Sequence, residues 1–132
     1  MKILTLTLAC ILLVSSCNED EVTPIAIAEE TMIGRWHLVG FETTVMYQFT
    51  ENLRYTIYSE DGNFGGLETA IPNPLNWYWD NDQVVIDLNF GNESRLVPSF
   101  KCEGQVIDWY DVNGDFFGTY FRETYDIEAC TE

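Results

Sequence analysis

Histidine is nearly missing from this chain, with one residue in 132, and basic side chains are scarce, six against 22 acidic ones. A single histidine, His37, leaves no cluster to hold a catalytic metal and no partner for a nucleophile. A formal net charge of −16 repels phosphate backbones and gives no grip on anionic lipid, so nucleic acid is set aside as a partner. No C-x-x-C, no H-E-x-x-H and no phosphate-cradling glycine loop is present. No apolar run approaches the roughly 20 residues of a membrane-spanning helix. Internal repeats and low-complexity tracts are missing too. These absences point away from catalysis and imply no metal and no cofactor. What remains is a chain long enough for one domain, 46% apolar, with acids that suit either solubility or a cationic ligand.

The N-terminus is an address. Met1-Lys2 supplies one positive charge, and Ile3 to Val14 carries only small or apolar side chains, the pattern of a secretory signal. It ends at Val14-Ser15-Ser16-Cys17, after which the chain turns acidic at once. This stretch resembles the lipobox of bacterial lipoproteins. The resemblance implies that residues 1–16 are removed, that Cys17 takes the lipid, and that acyl chains such as palmitate hold the protein at a membrane. Residues 17–31 then form an acidic flexible tether, with room for one helical turn near Ala26 to Met32. The run Glu19-Asp20-Glu21 resembles the export signal of Bacteroidota lipoproteins, which implies the outer membrane, at its periplasmic face or at the cell surface. The alternative is a solvated spacer.

Of four cysteines, Cys10 leaves with the leader and Cys17 takes lipid. Cys102 and Cys130 remain in a compartment that permits disulfides, and one bridge between them is expected, clipping the C-terminal tail to the strand that ends near Lys101.

From residue 32 onward short alternating runs are broken by turn residues. The pattern predicts eight strands, over 34–42, 44–50, 53–60, 76–80, 83–90, 94–101, 105–111 and 115–122. In the second, Val45, Tyr47 and Phe49 share a face. In the third, Leu53, Tyr55 and Ile57 oppose Arg54, Thr56 and Tyr58, and in the fifth Val84, Ile86, Leu88 and Phe90 point together. Asn113-Gly114 marks a tight hairpin. Asp111 to Asp115 resembles half a calcium loop but lacks the closing Glu, and the hairpin explains it better. Pro98 must sit at a bulge or a free edge. Residues 63–76, with two glycines and two prolines, predict a large loop over one end of the domain. The fold class is all-β, an antiparallel up-and-down barrel, with a β-sandwich as the alternative.

Gly34-Arg35-Trp36 opens the first strand and matches the Gly-x-Trp signature of lipocalins, and the last strand carries Arg122. The domain is similar to the lipocalin-like domains of small Bacteroidota lipoproteins. The resemblance implies that Trp36 closes the barrel floor with Arg122 stacked on it and Gly34 beside it. The chain is shorter than a true lipocalin and lacks its Thr-Asp-Tyr motif and C-terminal helix. His37, next to the plug, should point outward and receives no role.

Binding is the open question. Rings make up 14% of the chain. They fill the interior, or Tyr47, Tyr55, Trp77, Trp79 and Trp109 line a partly open mouth that takes a small hydrophobic or planar ligand. A third reading uses Tyr58, Tyr78 and Tyr110 on the outer surface to hold glycan or protein. A monomer is expected.

Overall fold

The computed structural model describes residues 31–132. The signal segment, Cys17 and the tether as far as residue 30 lie outside the described residues. The strands are β1 (Gly34–Leu38), β2 (Val45–Phe49), β3 (Leu53–Tyr58), β4 (Leu75–Asp80), β5 (Gln83–Asn89), β6 (Asn92–Lys101), β7 (Val106–Tyr110) and β8 (Phe116–Arg122). Each pairs antiparallel with the next, and β8 returns to pair with β1, Trp36 opposite Arg122. That last ladder closes the sheet into an eight-stranded up-and-down barrel and excludes the sandwich. Closure leaves no strand without a neighbour on either side, although the β3–β4 seam is short, Leu53 opposite Asn76 and Arg54 opposite Leu75.

In such a meander alternate connections share an end. The turns β2–β3, β4–β5 and β6–β7 are short and sit at the floor, where Asn81 and the Cys102-Glu103-Gly104 corner take positive φ. The other connections ring the opposite end, the mouth. The β7–β8 connection spans five residues rather than a two-residue hairpin. Asp111 Oδ1 organises it, accepting from the Asn113 and Asp115 backbone N–H groups at 2.8 and 2.9 Å, and only Gly114 takes positive φ. The acids here shape a turn.

The interior is layered. At the bottom Trp36 is fully buried. Beside it Phe49, paired with Gly34 at the floor end, meets Trp77 edge-on at 5.5 Å between centroids. Higher still, Tyr120 lies between Tyr47 and Trp109, at 5.6 and 5.4 Å. Val84, Ile86, Leu96 and Ile107 fill the spaces between the rings. Pro98 sits where β6 has left β5, since that ladder ends at Leu96, so its missing N–H faces no partner strand on that side.

Three expectations are corrected. The first concerns β3. Register pairs Phe49 with Arg54 and Tyr47 with Thr56, which puts Arg54 and Thr56 inside and Tyr55 and Ile57 outside. The apolar row of β3 therefore faces away from the barrel interior. Ile57 is still buried, because the outer wall is itself covered there: Met46 and Ile57 are both 0% exposed. The second concerns the long connection after β3. It carries a 3-10 turn (Leu67–Thr69) and lies against the outer wall, rather than over an end. Phe64 packs edge-on to His37 at 5.5 Å, and the Ile71 N–H donates to the Thr56 carbonyl at 2.9 Å, occupying part of the β3 edge that β4 leaves free. His37 does point outward, but it is packed between Phe64 and Phe121, with Nδ1 buried and unpartnered among the described residues. The third concerns Phe90, expected to share a strand face with Val84, Ile86 and Leu88, which is instead fully exposed at the β5–β6 turn.

Cys102 and Cys130 are bonded, with their Cα atoms 5.8 Å apart. The tail is thereby held at the floor end, where the Cys102 N–H also donates to Glu132 Oε2 at 2.7 Å.

Candidate functional site: a floor plug and a cup above it

The floor is built from the Gly-x-Trp stretch. The Arg122 guanidinium lies 4.0 Å from the Trp36 ring centroid. Its Nη1 donates to the Ile33 carbonyl at 2.6 Å and its Nη2 to the Thr31 carbonyl. Trp36 Nε1 donates to the Met32 carbonyl at 2.8 Å. One indole and one guanidinium thus satisfy three carbonyls of the segment entering the barrel. Burial holds the Arg122 pKa below its ordinary value, but an arginine stays charged regardless. Gly34 is required twice over: its φ is +131°, and a Cβ there would overlap Arg122 Nη1. Thr31, assigned to the tether on sequence, is part of this floor.

Above the ring layers the barrel opens. A cavity of about 490 Å³ occupies its upper half. Leu38, Ile86 and Leu96 form its walls, and Tyr47, Arg54, Ser94 and Tyr120 supply its polar groups. Val39, Phe41, Leu88 and Phe117 continue the apolar surface out to the rim, where each is 45–62% exposed. A volume of this size falls within the roughly 300–1,000 Å³ typical of small-molecule sites.

The five rings predicted to line a pocket divide. Tyr47 lines the cup. Trp77, Trp79 and Trp109 point inward but are packed into or against the core below it. Tyr55 is on the outer face, opposite Gln48, and does not reach the interior. Rings thus fill the lower half of the barrel and the upper half is open, and of the five only Tyr47 lines the opening. The outer candidates are not brought together: Tyr58 and Tyr78 are exposed on β3 and β4, while Tyr110 on β7 packs edge-on to Phe116.

The residue that sequence reasoning missed is Arg54. It lies inside the cup with its Cζ 4.2 Å from the Tyr47 ring centroid. Each of the other basic side chains among the described residues has oxygen partners. Arg35 binds Glu123 at 2.6 Å, Arg95 binds Asp80 and Glu93 at 2.7 and 3.0 Å, Lys101 binds Asp108 at 2.5 Å, and Arg122 binds carbonyls. Arg54 makes no ion pair or hydrogen bond among the described residues, and its Nε is buried without a partner. The Tyr120 phenol, pushed well up by burial and secondarily by Tyr47, stays protonated and available as a donor. The signal in the sequence was the pattern of β3 itself: an arginine between apolar residues, readable as inward only once the outer wall is known to be covered.

Among the described residues no group of His, Cys, Asp or Glu is placed to hold a metal ion. No family model, no curated protein and no solved structure matches this chain.

Proposed function

We propose that this is a lipid-anchored extracytoplasmic protein whose lipocalin-like barrel holds a small apolar or planar ligand in its upper half and performs no chemistry on it. The observation that carries the reading is the partly open cup of about 490 Å³, apolar on its walls and rim, above a sealed floor. A barrel that serves only as a scaffold gains by packing to the top, because empty apolar volume forfeits contacts. The kinship with lipocalins is supported by the stacking of Arg122 on Trp36 beside Gly34, the arrangement that the resemblance implied. Attachment at Cys17 and residence at the outer membrane rest on the lipobox-like stretch and the acids that follow it.

A neutral fluorescent naphthylamine tests the cup. The protein should bind it one to one with an emission rise, and Ser94→Phe, which fills the cup from β6, should abolish the signal while leaving the fold intact. Failure of the parent to bind any neutral apolar probe contradicts the reading. For the anchor, growth with labelled palmitate should label the parent and not Cys17→Ser.

A second reading is favoured by one observation. Phe90 is 100% exposed, and Phe116 and Phe117 are each 62% exposed, all at the mouth end. Exposed rings at one end suit an interaction module that meets a protein or glycan there.

A further inference from the structure

Resting on the proposal that the cup holds a ligand, we infer that its ligand is an amphipathic monoanion, whose carboxylate sits at Arg54 between Tyr47 and Tyr120 while its apolar part runs along the walls toward the rim. Three observations carry this. First, β3 turns its charged residue inward and its apolar residues outward, the reverse of a strand built only to fill a barrel. Second, the cup's lining contains one cation, Arg54, and no carboxylate, in a protein that otherwise surrounds its bases with acids. Third, the buried side-chain groups that lack partners inside the barrel are all donors: Arg54 Nε, Trp79 Nε1 and Trp109 Nε1. Of these, Arg54 Nε is the one that lies at the cup, and a carboxylate is a group that only accepts.

Stacking on Tyr47 explains one face of the guanidinium, but it satisfies no N–H. The phenols of Tyr47 and Tyr120 make no hydrogen bond to another described residue, and both line the cup. Arg54 and the two phenols therefore offer convergent donors to one head group. A single cation selects a single charge. A dianionic phosphate would bring an uncompensated charge into a partly dry site. The acidic outer surface does not oppose entry strongly, because at physiological salt charges more than about 8 Å away are largely screened.

The test compares dodecanoate, methyl dodecanoate and dodecyl phosphate by calorimetry at pH 7, on the parent and on Arg54→Met and Arg54→Lys, with each variant's fold checked by circular dichroism. Charge-assisted hydrogen bonds in such a site are worth about 1.5–3 kcal/mol, so the parent should prefer the acid to the ester about 10- to 100-fold. Arg54→Met should lose the preference for acid over ester, and Arg54→Lys should keep part of it. A merely structural arginine would lower both affinities together and leave their ratio unchanged, which would overturn the assignment. Equal binding of acid and ester by the parent also overturns it while leaving the apolar cup in place, and this comparison needs no variant. Tighter binding of dodecyl phosphate overturns the choice of carboxylate. Binding of none of the three overturns both this inference and the ligand-holding proposal.

Discussion

Replacing Gly34 by alanine should damage the floor far more than one methyl group suggests. The new Cβ would occupy the position of Arg122 Nη1, and φ of +131° is a conformation that alanine resists. The guanidinium must move or the strand must shift. Moving it gives up the stack on Trp36, worth about 0.5–2 kcal/mol, and disturbs its hydrogen bonds to the Thr31 and Ile33 carbonyls. Each hydrogen bond from a charged group contributes about 1.5–3 kcal/mol. With backbone strain of about 1–3 kcal/mol, and with part of the bonding recovered by relaxation, a loss of about 3–5 kcal/mol is expected. Against the 5–15 kcal/mol typical of a domain, that is a large share, equivalent to a fall in Tm of about 12 °C or more. Denaturation followed by tryptophan fluorescence measures it. A double-mutant cycle with Arg122→Met isolates the cause. Once the guanidinium is gone, Gly34→Ala should cost only its strain, so the two effects should fall short of additive by more than about 1 kcal/mol. Full additivity would refute the argument that Gly34 exists to make room for Arg122.

Two further outcomes follow from the same structure. Removing the disulfide by Cys102→Ser with Cys130→Ser should destabilise by about 3–4 kcal/mol in the chain-entropy model, because the bridge closes a loop 28 residues long; a loss under about 1 kcal/mol in urea titrations would mean that the tail adds little constraint. Asp108 is pulled up by burial, but hydrogen bonds from Lys101 and Thr119 outweigh this and leave its pKa lowered. A lowered folded-state pKa gives stability that is present above the ordinary carboxylate range and lost as pH falls through the folded value. Asp108→Asn should therefore be less stable than the parent at pH 7, with the gap closing on acidification below about pH 4. A gap that is constant with pH would point to packing rather than charge.

The sequence carried more of the architecture than of the site, for physical reasons. Eight strands were legible because alternation and turn chemistry act locally, and closure followed from a meander with no long crossover. The Trp36–Arg122 floor was legible through the resemblance alone, since nothing in the spacing brings residues from the first and last strands together. Alternation gives two faces of a strand but does not say which is inside. In β2 and β5 the apolar face was the inner one. In β3 the long connection packs against the wall and buries the outer face as well, so the apolar row of Tyr55 and Ile57 was assigned to the wrong side and Arg54 went unnoticed. The tryptophans were identified as inward, but their depth depends on how far each strand is staggered around the barrel. That stagger separates Trp77, Trp79 and Trp109 from the cup that Tyr47 lines.

The central claim is that the barrel is sealed below and open above, with its ligand inside the upper half. Amide and indole NMR shifts during titration with dodecanoate test this most directly. The account predicts saturable shifts at Tyr47, Arg54, Leu96, Gly118 and Tyr120, with the Trp36 indole unmoved. Shifts confined to the exposed positions Tyr78 and Phe90, with none at the inward residues, would contradict it.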